Sequence, residues 1–367
     1  MSSEAAVSGR EQRVLEIIAT ARAKRARFRD KQITLAHGAG GKATQTLIEG
    51  LLVPAFASEG TGALPALADA GAVQVDGTRL AMTSDSFVVK PLRFPGGSIG
   101  ELAVNGTAND LAMAGAKPLA MTVSMILEEG LSADVLRAEV EAIAAAAREA
   151  GVEIVGGDTK VVERGAADGM YLCTTGIGAV DARAQLATDG IRPGDQILVS
   201  GPIGEHGTAI MLARDQFDLD AELDSDTCCL WPAVDALLAA AGAELHCLRD
   251  PTRGGVASVL NELARASRVA IVVREADVPV SPVVAAAAEL LGIDPMYVAN
   301  EGRLVAFVAP EATDAALEAL RTVTGCDGAS AIGEVRREPP GMVLVETSFG
   351  GRRVMDQLVG DPLPRIC

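Results

Sequence analysis

The sequence is poor in aromatic residues, in histidine and in positive charge, and it holds no long apolar run. One Trp, two Tyr and seven Phe among 367 residues leave the core to Ala, Val, Leu and Gly, small side chains that suit layered helices and sheets. The three histidines show no ligand spacing such as HxxxH, and the six cysteines (Cys173, Cys228, Cys229, Cys247, Cys326, Cys367) form no CxxC pair. Zinc chemistry and a disulfide frame are thereby disfavoured, and reduced core thiols are expected. No stretch approaches the roughly 20 apolar residues that span a bilayer, and no apolar segment lies between a basic start and a cleavage site. The expectation is a cytoplasmic protein without membrane contact. Lys and Arg number 32 against 49 Asp and Glu, a net charge of −17, which disfavours a nucleic-acid partner because phosphate binding needs a basic surface.

What is present points to an ordinary globular chain, 49% hydrophobic and 22% charged, long enough for two or three domains. Residues 1–30 carry seven basic and four acidic side chains, so the remainder sits at −20. That surplus of carboxylates suits metal ions better than a polyanion. The basic segment from Gly9 to Asp30 reads as an appended surface helix. Strands are predicted at Ile33–Leu35, Leu80–Thr83 and Val152–Val155. Ser98 with Glu101 three residues on forms a capping-box pattern that opens a helix, and Ser132 opens another reaching Ala150, with Leu136, Val140, Ile143 and Ala147 on one face and Gly151 as its stop. A Gly and Pro turn at Gly190–Gly194 opens a fresh strand-and-helix alternation. The division is a basic helical extension over 1–30, an α/β domain over 31–187, a second over 188–349, and a flexible tail over 350–367. Eighteen extended residues reach about 60 Å, enough to carry Cys367 to a distant site.

The chemistry-bearing motifs sit at the turns of this alternation. HGAGGK (His37–Lys42) has backbone amides fit to cradle an anion, with His37 placed to touch phosphate, but Ala36 and Ala43 break the Walker pattern. A plain glycine turn and a phosphate loop both remain open. Asp85 in TSDSF, Asp110 in GTANDLAMAG, Asp158 in VGGDTK and Asp250 in RDPTRGG are turn or cap residues singly; together, beside glycines, they suit Mg²⁺, which takes carboxylate oxygens and substrate phosphates. Lys160, just past the Gly156–Gly157 turn, and Glu301 in YVANEGR are either a phosphate-neutralising lysine and a buried base or two ordinary ion-pair residues. His206 and His246 read as structural. Cys367 closes PRIC, one residue where a prenylation box would need four; an exposed terminal thiol is open either to function or to none.

Taken together, HGAGGK, TSDSFVVKPLRFPGGSIGELAVNGTANDLAMAGA, VGGDTKVV, RDPTRGG, YVANEGR and terminal PRIC resemble the HypE family of hydrogenase maturation factors, within the superfamily of aminoimidazole ribonucleotide synthetase, thiamine monophosphate kinase and selenophosphate synthetase. The resemblance runs over residues 33–367, and only the first thirty or so depart from the pattern. It implies a two-domain synthetase-like α/β fold, a homodimer, and ATP with Mg²⁺ held near the N-terminal sheet and the dimer interface. It also implies a reaction: a carbamoyltransferase, HypF, loads a carbamoyl group on Cys367, ATP drives its dehydration to a thiocyanate, and the cyano group passes to a HypC–HypD complex. Carried over to this sequence, Gly38, Gly40, Gly41, Lys42, Asp85, Asn109, Asp110, Asp158 and Thr159 contact nucleotide, Asp85, Asp110 and Asp250 hold metal, and Cys367, Lys160 and Glu301 do the chemistry, with the choice of base between the last two open. The rival readings are a small-molecule kinase or synthetase, which has no use for a terminal cysteine, and a non-catalytic thiol carrier.

Overall fold

The structure, a computed structural model, describes residues 27–56, 68–214, 222–358 and 367. Most of the expected N-terminal helix and of the tail lies outside them; Arg27–Asp30, at the end of that helix, are not helical.

The first layer is a five-stranded sheet built from β1 (Gly71–Val75), β2 (Thr78–Phe87), β5 (Ala116–Glu128), β6 (Glu153–Val162) and β7 (Met170–Val180), with a small hairpin of β3 (Arg93–Phe94) and β4 (Gly97–Ser98) beside it. Its order is β1-β2-β7-β5-β6, antiparallel except between β5 and β6. Side chains alternate inward and outward along β7, as a sheet covered on one face requires. The cover is the helix Ile99–Met113, with Ala133–Ala150 packed behind it. Leu80–Thr83 lies within β2 and Val152–Val155 opens onto the longer β6.

The second layer is a seven-stranded sheet made from β8 (Gln196–Val199), β9 (Leu245–Arg249), β10 (Ala270–Arg274), β11 (Val305–Val308), β12 (Ser330–Arg336), β13 (Met342–Glu346) and β14 (Arg352–Met355), in the order β14-β13-β10-β12-β8-β11-β9. Both faces are covered, so β11 reads VAFV without a polar residue. Val305 and Phe307 join Val256, Leu260 and Leu263 of the helix Gly255–Ser267 on one face. Ala306 and Val308 join Val234, Leu237 and Leu320 on the other. A third core cluster crosses between the layers, joining Phe87, Ile99 and Leu102 to Ile210, Met211, Val298 and Ala299.

Five local expectations are corrected. Ile33–Leu35 is not a strand: a 3₁₀ turn runs from Leu35 to Gly38, and the exposed Ile33 and Leu35 have no sheet to join. Ser98 does precede its helix, but its side chain makes no capping bond; the buried Glu139 of the next helix accepts from the Gly100 N–H at 3.1 Å instead, while paired to Arg93 at 2.8 Å. In that next helix, which Ser132 does cap through the Asp134 N–H at 3.2 Å, Glu139 replaces the exposed Val140 on the buried stripe. Gly156 and Gly157 are not a turn but lie inside β6, where a Cβ on Gly157 would meet the Val123 carbonyl at 1.9 Å. Part of the segment expected as a flexible tail is ordered sheet, since Arg352–Met355 pair with β13 and Met355 is buried.

Phe307 is fully buried and Phe349 is 98% exposed. Phe307→Ala should lower the unfolding free energy by about 3–5 kcal/mol, and Phe349→Ala should stay within about 0.5 kcal/mol, as read by denaturant titration. Equal effects would contradict the packing described here.

Candidate active site

The seam between the two layers gathers carboxylates. Asp85 stands on β2 opposite Thr174, whose buried hydroxyl bonds toward the helix Ile99–Met113, so Asp85 faces that helix rather than the open side of the sheet. Asp110 lies in the helix's last turn and Asp250 directly follows β9. Asn300 donates to the Pro251 carbonyl at 2.8 Å and accepts from the Gly204 N–H at 2.7 Å, which draws YVANEGR against RDPTRGG and sets Glu301 beside the aspartates. Gly106 is needed there: a Cβ would meet the Phe87 ring at 2.8 Å and come to 3.8 Å from Glu301 Oε2.

Asp69, absent from the sequence-based site, completes the group. One carboxylate oxygen each from Asp69, Asp110 and Asp250 falls within 4.8 Å of the others. Arg249 pairs with Asp69 at 2.8 Å, and Thr83 Oγ1 lies 2.8 Å from Asp110 Oδ2 and 2.9 Å from the Asp69 carbonyl. A hydroxyl carries one hydrogen, so both contacts are bonded together only when Asp110 is protonated and donates. Burial pushes Asp69 up to about 6 despite Arg249. Burial and then the charge of Asp69 push Asp250 up to about 8. Asp110 is held well above the carboxylate range by burial and by Asp250, and Glu301 by burial and by Asp85. Asp85 is raised by burial, with Arg253 opposing. Such a site attracts a hard divalent cation, and the three-oxygen donor set fits Mg²⁺.

Cys367 is in this pocket. It shares the lining with Asp85, Asp110, Asp250, Arg253 and Glu301 around a cavity of about 30 Å³ and packs, half-buried, against the cluster containing Phe87. The sequence reading had it exposed. A larger cavity of about 540 Å³ lies between the helix Pro282–Leu291 and the second sheet, lined by Ile203, Val273, Val278, Val280 and Met296; it holds none of the clustered acids, so the smaller one is the chemical candidate.

Other expected site residues lie elsewhere. Asn109 is buried with its amide used, donating to the Cys228 and Glu301 carbonyls at 2.9 and 3.2 Å and accepting from the Leu230 N–H at 2.7 Å. Lys42 pairs with Asp356 at 2.7 Å. His37, expected to touch phosphate, bonds Asp30 at 3.0 Å and Thr34 at 3.0 Å. Gly38 and Gly40 do not line the pocket but touch Arg253, which does: Arg253 donates to the Gly38 carbonyl at 3.0 Å, and Gly40, at φ +74°, approaches the Arg253 backbone too closely for a Cβ; Gly41 caps the helix Lys42–Leu47. Asp158, Thr159 and Lys160 are exposed on edge strand β6, where Lys160 pairs with Asp158. Register aligns Asp158 with Ser124, Cys173 and Ser86. It therefore stands on the face opposite Asp85 and about 14 Å across three strand spacings. His206 and His246 are structural as expected, bonded to Ser225 and Asp195.

The family model described as AIR synthase related protein, N-terminal domain, matches residues 67–180, and its C-terminal counterpart matches 192–345. Carbamoyl dehydratase HypE of Rhizobium leguminosarum bv. viciae is 49% identical over 336 residues, 92% of this chain and 95% of that protein. The protein of the same name from Escherichia coli (strain K12) is 44% identical, covering 91% and 99%. A crystal structure of HypE in complex with ATP aligns with TM-score 0.76 at 43% identity over 92% of this chain and all of that one. One from a HypE–HypF complex aligns with 0.79 at 42%, covering 85% and 99%. Thiamine monophosphate kinase from Aquifex aeolicus, at TM-score 0.58 and 18% identity over 80% of this chain and 93% of that one, shares the fold.

Folded-state values raised above about 4 mean that the native chain holds more protons than the unfolded one, so without metal the stability falls as pH climbs from about 4 through 8. Added Mg²⁺ should raise the melting temperature more at about pH 8 than at about pH 5, and Asp250→Asn should flatten both trends. An Mg²⁺ effect independent of pH would count against a metal at this cluster.

Proposed function

The chain belongs to the HypE family of carbamoyl dehydratases, and on that premise we propose that it uses ATP to dehydrate a carbamoyl group carried on the thiol of Cys367 to a thiocyanate, for the cyano ligand of a hydrogenase iron centre. The observation that carries this reading is Cys367 lodged in the pocket of Asp85, Asp110, Asp250, Arg253 and Glu301.

In this reaction the amide oxygen attacks the γ-phosphorus of ATP while the bond to the ADP oxygen breaks, and a base takes one nitrogen proton. The carbon–oxygen bond then breaks, inorganic phosphate leaves with the former amide oxygen, and loss of the second nitrogen proton gives S–C≡N. Phosphorylation is needed because amide oxygen is a poor leaving group, and catalysis lies mostly in position and charge. Glu301, buried and raised well above its usual range, is the base that shares the pocket with Cys367; a carboxylate so desolvated takes up a proton strongly. Lys160, on the opposite face of the sheet, is not assigned to this chain's pocket. Asp69, Asp110 and Asp250 would hold Mg²⁺, with Asp85 beside them, and the ion would supply positive charge against the developing phosphoryl charge. Arg253 adds positive charge at the mouth.

Nucleotide binding is supported by the HypE structure with ATP, and HypF as partner by the HypE–HypF complex. The cyano group then passes to a HypC–HypD complex. A homodimer is supported by the open face and edges of the first sheet, where Val73, Val75, Met82, Ile126, Ile154, Val155 and Val161 are exposed, since exposed apolar side chains on an open sheet and its edge strands invite pairing with another copy. That face carries Asp158 and Lys160 into the interface, with Thr159 between them on the same edge strand but turned to the other side. Among the described residues no helix is long and apolar enough to cross a membrane.

The test is intact mass after incubation with HypF, carbamoyl phosphate and ATP. The wild type should gain a carbamoyl group and then lose water. Cys367→Ala should gain neither while still binding nucleotide, and Glu301→Gln should gain the carbamoyl group and keep its water. A Cys367→Ala protein that still acquired carbamoyl or cyano mass would overturn the carrier assignment.

A further inference from the structure

Glu301 is gripped at both ends of its own backbone. Its N–H donates to Asp226 Oδ1 at 3.0 Å, and its carbonyl accepts from Asn109 Nδ2 at 3.2 Å. The Asp226 side chain has no exposed surface. Among the described residues its second oxygen, Oδ2, meets no hydrogen-bond donor; Arg303 Nε stands at 3.7 Å, and the Gly302 and Asp226 N–H groups also favour the charged form of the carboxyl. A buried carboxylate with one unbonded oxygen is expensive to keep, and the bond it does make goes to the peptide of the proposed base.

The segment that carries Asp226 is itself strapped across the seam. Ser225 N–H donates to the Pro95 carbonyl at 2.9 Å, and Ser225 Oγ bonds His206 at 2.8 Å. Thr227 Oγ1 accepts from Asn105 at 3.4 Å, the Cys228 carbonyl from Asn109 at 2.9 Å, and Leu230 N–H donates to Asn109 at 2.7 Å. Contact with YVANEGR is backbone to backbone: a Cβ on Gly302 would lie 1.7 Å from the Asp226 carbonyl.

We propose that Asp226 is a positioning residue for Glu301: the strap Ser225–Leu230 pins the Glu301 peptide so that its carboxyl enters the pocket beside Gly106 and Cys367. This rests on reading Glu301 as the base. Pinning is needed because the carboxylates of Asp85 and Asp250 share the pocket with Glu301, and Asp226 itself adds to that repulsion, so what Asp226 contributes is the hold of its Oδ1 on the Glu301 N–H and not its charge. The competing role for Asp226 is to neutralise Arg303, which also pairs with Glu205 at 2.7 Å.

Two substitutions separate these roles. Asp226→Asn keeps an acceptor for the Glu301 N–H and removes the charge facing Arg303. Asp226→Glu keeps the charge and displaces the acceptor by a methylene. Dehydration is followed by mass in single turnovers of protein already carbamoylated by HypF, over a range of ATP concentrations, with melting temperature recorded alongside. Positioning predicts that Asp226→Asn keeps the wild-type rate within a few fold, while Asp226→Glu and Asp226→Ala lose about 100-fold in maximal rate with little change in the half-saturating ATP concentration. The reverse order, with Asn slow and Glu fast, would overturn the proposal in favour of Arg303 neutralisation, as would equal losses in all three. Glu301→Gln is run in parallel. Should it dehydrate normally, the assignment of the base fails; should it be blocked while Asp226→Ala turns over at the wild-type rate, positioning alone fails.

Discussion

The structure depends on holding several carboxylates together at the seam of two layers without letting their repulsion part them. Asp69, Asp110 and Asp250 converge, Asp85 and Glu301 line the same pocket, and the neighbouring protein cations named by the geometry are Arg249 and Arg253. At interior dielectric these like charges would cost several kcal/mol apiece if all were ionised. The cross-layer cluster of Phe87, Ile99, Leu102, Ile210, Met211, Val298 and Ala299 opposes that repulsion, since burying a large aliphatic or aromatic side chain contributes roughly 1.5–3 kcal/mol. The remaining instability is what makes the pocket a site: protons or a divalent cation relieve it.

The same requirement explains where glycine falls. Gly40 against Arg253, Gly106 against Phe87 and Gly302 against Asp226 are places where a Cβ would come within 3 Å of a neighbour. Chains that pack this closely keep the acids in a small volume. A glycine-rich motif thus need not be a phosphate cradle; Gly40 donates its N–H to Thr44 Oγ1 at 3.0 Å and serves the approach of the RDPTRGG loop.

Much of this was legible from sequence because it is local. Ser132 and Gly151 bound a helix by capping chemistry, and the apolar stretch Leu80–Thr83 marks part of a strand. Asp85, Asp110, Asp250, Glu301 and Cys367 were placed together through the family resemblance, and the pocket unites them. What escaped is non-local. Asp69 is one acid among 49, with no motif to mark it, and only the pairing of β1 with β2 and the reach of Arg249 bring it in. Glu139 looked like a surface residue of an amphipathic helix until it met the amide of Gly100. Asn109 and Asp158 stand in the expected motifs, but helix phase points the first at backbone and strand phase sets the second on the face away from Asp85. A one-residue change of side is invisible in a motif and decisive in a sheet.

The size of the pocket adds an order to the proposed reaction. With Cys367 in place the cavity is about 30 Å³, room for a small polar group and far below the several hundred Å³ of a drug-sized ligand site. The carbamoyl group fits such a space, but an adenine nucleotide does not. In the proposed reaction the adenosine would therefore lie outside this cavity, with the terminal phosphate nearest the acids. On the proposed reaction, loading by a separate carbamoyltransferase would take place with the thiol outside, so the cysteine would leave the pocket to be charged and return to be dehydrated. Its half-buried packing against the Phe87 cluster suits that cycle. Apolar contact without a full core position holds the residue by an amount that solvent and a partner surface can offset, whereas a fully buried residue would be retained.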